Sequence, residues 1–134
     1  LPMARNSAAG AQDGARLHVI SGRTVEGGQT GAHHIYDPAS DRWIEAADFP
    51  EARGGLAAAV WRGRIVAGGG EIFEPPSVGE ALYELGPNGW RRFATLPAAR
   101  HGHGMVSAGQ ALVLLGGAQN VGGRETLSRT DMLL

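Results

Sequence analysis

The sequence predicts an all-β fold assembled from repeated four-stranded antiparallel units. Three observations predict it. A turn arginine recurs as Arg5, Arg53 and Arg100, spaced 48 and 47 residues apart. Sixteen residues after each stands a small pair: Ser21-Gly22, Gly69-Gly70 and Gly116-Gly117. An aromatic pair follows in two units, Tyr36 with Trp43 and Tyr83 with Trp90, seven apart in both. A fixed period of this length marks a repeat architecture in which each unit is one supersecondary element.

The strands follow in order within each unit. The first, "SAAGAQ", "GLAAAVW" and "GMVSAG", is small and apolar and suits a crowded position. The second, "RLHVIS", "RIVAGG" and "ALVLLGG", is a continuous apolar run of strand length that ends in small residues. The double glycine closes it where the chain turns with backbone angles that other residues resist. The third, "HHIYDP" and "EALYEL", carries the tyrosine, and the fourth, "RWIEAA" and "WRRFAT", alternates like a half-exposed strand. Between them, Asp37–Trp43 and Gly86–Trp90 are rich in turn residues. Gly and Pro punctuate the chain too often for long helices.

The run "AAAVWRGRIVAGGGE" and the later "ALYELGPNGWRRFATLPAARHG" resemble the kelch repeat. Along its whole length the chain is similar to a kelch-repeat β-propeller of bacterial kelch-like proteins. The resemblance implies a propeller segment of three four-stranded antiparallel blades, at about residues 1–48, 49–95 and 96–134, the last lacking its outer strand. Tyr and Trp then fill the wedges between blades. Unit one departs from the pattern with Ser21 in place of the first glycine. In unit three the Tyr position falls at Met132 or Leu133, and no Trp strand follows. Three blades are half of a six-bladed ring. The other half is expected from the remaining blades of a longer parent chain or from a second copy.

Composition narrows the chemistry. Twelve basic residues face 13 acidic ones, so no bulk field favours nucleic acid, and no apolar run approaches the ~20 residues of a membrane span. Every basic residue is Arg, which removes Schiff-base chemistry. Cys is absent, which removes disulfides, a thiol nucleophile, thiolate metal sites and the Cys–Tyr centre of kelch-containing copper oxidases; it leaves the compartment open. The chain has no nucleophile elbow, P-loop, HExxH or dinucleotide fingerprint. No cofactor and no catalytic residue are expected.

The candidate site follows from the resemblance. It places the turns of Arg5, Arg53 and Arg100 around one mouth of the central channel, each with its following residue: Asn6, Gly54 and His101. Guanidinium forks suit carboxylates because they donate two parallel hydrogen bonds. A second reading keeps each arginine inside its repeat, bonded to a carboxylate or to carbonyls and tying blades together. His101 and His103 are two apart and would share a face on a strand. They read as channel-lining hydrogen-bonding groups, since a metal site lacks a clear third ligand. His33 and His34 are adjacent and would point to opposite faces. Glu71 follows the glycine pair and is expected at the same rim, as a salt-bridge partner or an acid–base group. The loops "RTVEGGQTGA" and "EIFEPPSVGE" are the longest connections, with Phe73 and Glu74 as exposed candidates.

These features predict a binding module for an acidic peptide, a partner protein or an anionic glycan. One alternative is an enzyme like the bacterial sialic-acid mutarotases, with Arg53 or Arg100 holding the sugar acid and Glu71 or His101 moving the proton. Another is a purely structural propeller within a larger protein.

Overall fold

A computed structural model describes the backbone of residues 1–134 and every side chain but that of residue 124. Unit one contains β1 (Arg5–Asn6), β2 (Ala9–Asp13), β3 (Arg16–Ile20), β4 (Arg23–Thr24), β5 (His33–Asp37) and β6 (Arg42–Ala46). Unit two contains β7 (Gly54–Trp61), β8 (Arg64–Phe73), β9 (Pro76–Val78), β10 (Ala81–Gly86) and β11 (Gly89–Thr95). Unit three contains β12 (Gly104–Ala108), β13 (Ala111–Leu115), β14 (Ala118–Asn120), β15 (Arg124–Thr126) and β16 (Thr130–Leu133).

The main sheets run β2-β3-β5-β6, β7-β8-β10-β11 and β12-β13-β16, all antiparallel. The fold is thus an all-β, kelch-type propeller segment, its third blade one strand short among the described residues. The alanine-rich β7 packs against both β2 and β12, which explains the small residues of the innermost strand. Two apolar seams hold the blades. Ala9 and Ile20 meet Leu56, Ile65 and Ala67 in one; Val66 and Leu82 meet Met105, Leu112 and Leu114 in the other. Leu82, Leu112 and Leu114 are fully buried, and each such side chain contributes about 1.5–3 kcal/mol.

The loops of the sequence reading are partly ordered as strand. β8 runs through the glycine pair and turns back as β9, pairing Phe73 with Pro76. In the other units the same strand breaks at the pair into β3 and β4, or β13 and β14.

In units one and two the second residue of the pair makes the blade-to-blade link. Gly22 N–H donates to Arg53 O and Gly70 N–H to Arg100 O, both at 2.9 Å. A parallel link runs from Gly55 N–H to Ser7 O at 2.8 Å and from Gly102 N–H to Gly55 O at 2.7 Å. Ser21 accommodates its departure from glycine by work at the same junction. Its φ is 56°, and its Oγ donates to Arg53 O and accepts from Arg53 N–H at 2.9 and 3.0 Å.

The aromatic spacing misleads in one respect. Tyr83 and Trp90 do fill the wedge between blades one and two. Trp90 Nε1–H donates to Ala47 O at 3.0 Å, and Phe49 meets both rings edge-on. Tyr36 does not occupy the equivalent place. It pairs directly across from Trp43, whereas Tyr83 lies across from Arg92. The turn explains this: Gly86 pairs with Gly89, but Asp37 pairs with Arg42, two residues further on. The same seven-residue spacing therefore spans two different registers. Counted from the glycine pair, the position of Tyr83 opposite Ala67 is held by His34 opposite Val19 and by Asp131 opposite Leu114. The assignment of this position to Met132 or Leu133 is corrected to Asp131.

Gly70 has φ +93°, and a Cβ there would lie 2.9 Å from Arg53 Cβ. Gly63 has φ +73° with open space around it. Gly70→Ala is expected to cost about 3 kcal/mol or more and Gly63→Ala about 1 kcal/mol, read by urea denaturation.

Candidate functional site: an inner rim joining three blades

The residue after each turn arginine pairs with the residue after each glycine pair. Asn6 lies opposite Arg23, Gly54 opposite Glu71, and His101 opposite Ala118. These six positions form the inner rim, so the sequence reading brings Asn6, Gly54, His101 and Glu71 to one place.

The guanidinium groups of the turn arginines are spent within the chain. Arg5 donates to Val19 O at 2.9 Å and bonds His34 Nδ1 at 2.9 Å. Arg53 donates to Glu51 and to Ser77 Oγ, both at 2.9 Å. Arg100 is fully buried and donates to Ala98 O, to Gly116 O and to Asp131. One position receives all three. His34 meets Arg5 directly, Asp131 meets Arg100 directly, and Tyr83 meets Arg53 through Glu51, whose Oε1 accepts from the tyrosine hydroxyl at 2.8 Å. Arg100 and Arg129 hold the Asp131 carboxyl below its usual range, led by the Arg129 hydrogen bond. The geometry follows the second sequence reading, in which the arginines tie the structure together.

Glu71 is the node of the rim. Its side chain is buried, and it contacts all three blades. Oε1 accepts from Arg23 of blade one at 2.7 Å. Oε2 accepts from Gly122 N–H of blade three at 2.9 Å and lies 3.3 Å from His101 Nε2. His101 Nε2–H donates to Asn120 O at 2.9 Å. Arg23 crosses above Gly54, where a Cβ would fall 2.4 Å from its Cζ. Its guanidinium also bonds Ser7 Oγ at 2.9 Å and lies 4.6 Å from the centre of the Phe73 ring. The sequence reading that singled out Glu71 did not reach Arg23. Its signal was present, since Arg23 holds the same place one repeat earlier.

His103 stands apart from His101. Gly102 between them has φ +59° and breaks the extended run on which a shared face depends. The His103 ring packs towards Gly69 between blades two and three, and burial pulls its pKa down to about 4. Phe73, 48% exposed, and Val25, 83% exposed, stand on the long loops. A cleft of about 430 Å³ opens between β9 and β14, lined by Pro76, Ser77, Val78, Ala99, Gln119 and Asn120, among others. Among the described residues no three His, Asp or Glu side chains are arranged to hold a metal ion.

Removing one member of a buried ion pair strands the other and typically costs 3–5 kcal/mol. Glu71→Ala is expected in that range. In a double-mutant cycle with Arg23→Ala the two losses should fall short of additivity by more than 1 kcal/mol. Additive losses would show that the pair does not couple the blades.

No family model matches the chain. It is 26% identical over 101 residues to Kelch-like protein 41b of Danio rerio, covering 75% of this chain and 17% of that one. It is 28% identical over 109 residues to Spermatocyte protein spe-26 of Caenorhabditis elegans, covering 76% and 19%. It is 30% identical over 94 residues to Alpha-scruin of Limulus polyphemus, covering 65% and 10%. The chain thus spans less than a fifth of the length of these curated relatives. Among solved structures, that of YjhT superposes with a TM-score of 0.81 at 17% identity, over 96% of this chain and 42% of that one. Together these likenesses support a kelch-type family.

Proposed function

We propose that the chain is a kelch-repeat binding module that recognises a partner protein at the loops around its inner rim. The observation that carries this reading is the half-exposed Phe73 ring, seated on Arg23, which Glu71 holds from beneath. A rigid aromatic anchor on a fixed frame is the kind of residue that dominates protein interfaces. The kelch-like relatives support the same reading. The cleft between β9 and β14 begins at Pro76, the ladder partner of Phe73, and continues to Gln119 and Asn120 of blade three. The arginine-lined mouth for an anionic ligand has less support, because the turn arginines already hold acceptors of their own.

The ring of which this segment is part is proposed to be completed by further blades of a longer parent chain, or by a second copy. Exposed Leu17 on blade one and exposed Val106, Leu115 and Met132 on blade three are apolar positions that such neighbours would cover.

Selection of a displayed peptide library on the immobilised chain tests the binding reading. Enriched peptides should lose at least about tenfold in affinity for the Phe73→Ala variant, with acidic peptides and sialylated glycans as separate arms. Equal binding to wild type and variant would remove Phe73 from the site. The proximity of Glu71 and His101, 3.3 Å apart, favours the mutarotase as second reading. On the binding reading, anomer exchange of N-acetylneuraminate runs at its uncatalysed rate in the presence of the protein. Acceleration that disappears in Glu71→Gln would transfer the assignment to the enzyme.

A further inference from the structure

Both seams between blades bury histidine where apolar packing would suffice. In the first seam His18 and His33 are 5% and 1% exposed, and His18 Nδ1 lies 2.8 Å from His33 Nε2. That bond needs one proton between two ring nitrogens. A second proton sets two N–H groups against each other. The His33 ring lies 5.4 Å from and tilted against Trp90 of the neighbouring blade. Its Nδ1 makes no well-aligned hydrogen bond among the described residues, and the Ala47 backbone near it favours the proton less than burial opposes it. The charged groups that bear on His33 are His18, His34 and Arg5, all potentially cationic. On His18, Asp13 is opposed by Arg16.

In the second seam His103 is 9% exposed, and neither ring nitrogen has a partner among the described residues. It stands three residues after its turn arginine, where blade two has the buried Leu56. The charged groups that bear on it are Arg100 and His101. Among the described residues no carboxylate bears on His33 or His103; Glu45 and Asp48, which line a pocket with His33 and His34, act on His34. A proton on either therefore places an unpaired charge inside a blade-to-blade contact, which is costly.

We propose that the two seams form an acid-sensitive latch, in which protonation of His33 and His103 separates adjacent blades. The rim is built across both seams, so opening them dismantles it. Burial holds both histidines at about 4, below the ordinary 6.5 of the unfolded chain. The unfolded chain then binds the protons that the folded chain refuses. The folded state is therefore fully favoured above pH 6.5 and loses ground as pH falls towards 4. For a shift of this size each histidine lowers the folded-to-unfolded ratio about thirtyfold by pH 5.

Urea denaturation of the full chain from pH 7 to pH 5 tests this above the ordinary range of carboxylates. His103→Leu, which supplies the residue blade two already uses, should recover about twentyfold of the wild-type loss between pH 7 and pH 5. A variant profile parallel to wild type would overturn the proposal. Imidazole NMR titration of the wild-type chain gives an independent reading. Two of the five histidines should stay neutral until close to pH 4, and titration of all five near 6.5 would also overturn it.

Discussion

The turn arginine is fixed from both ends, and the arrangement of the blades depends on it. Its carbonyl accepts the glycine N–H of the blade before, as Arg53 does from Gly22 and Arg100 from Gly70. Its guanidinium reaches back into its own blade, towards the residue three places upstream of the second glycine and across the ladder. Backbone thereby joins neighbouring blades, while the side chain joins the turn to the sheet. The glycine pair follows from this constraint. Ser21 is admitted in blade one because its hydroxyl bonds the very groups that the junction presents. A buried arginine is normally expensive. Here Arg100 gains two carbonyls and a carboxylate, so its charge is compensated where it lies.

A second layer of charge lies on that frame. Glu71 gathers Arg23, His101 and the Gly122 amide from the flanking blades. Arg23 in turn supports Phe73 from below. The same repeat positions thus carry structure deeper in the blade and present groups for recognition above it. This division explains why a chain with so many arginines leaves few of them free at its rim. It also directs the search for a partner to the loops, where the exposed apolar side chains stand.

Much of the fold was legible because the anchors are backbone requirements. The glycine pairs, turn arginines and apolar second strands placed the main strands of all three units. The tyrosine register was less legible. Its spacing to tryptophan is the same in both units, but the intervening turn differs by two residues, and only the ladder shows which residues lie opposite. For the same reason Asp131, rather than Met132 or Leu133, holds the position in unit three. At the site, Glu71 and the residues after the arginines were legible from their place in the repeat. The repeat also marked the place of Arg23, but neither its ion pair with Glu71 nor the separation of His101 from His103 was legible. One depends on a partner in another blade, the other on the positive φ of Gly102.

The most direct measurement is hydrogen exchange resolved at the amides of Gly22 and Gly70. Gly22 sits in the break between β3 and β4, and Gly70 at the positive-φ bend inside β8; an amide left without a partner at either place would exchange quickly. If the turn arginine pins adjacent blades, both amides should be protected as strongly as those of the central strands and should open only with global unfolding. Exchange at the rate of the surrounding loops would contradict the account.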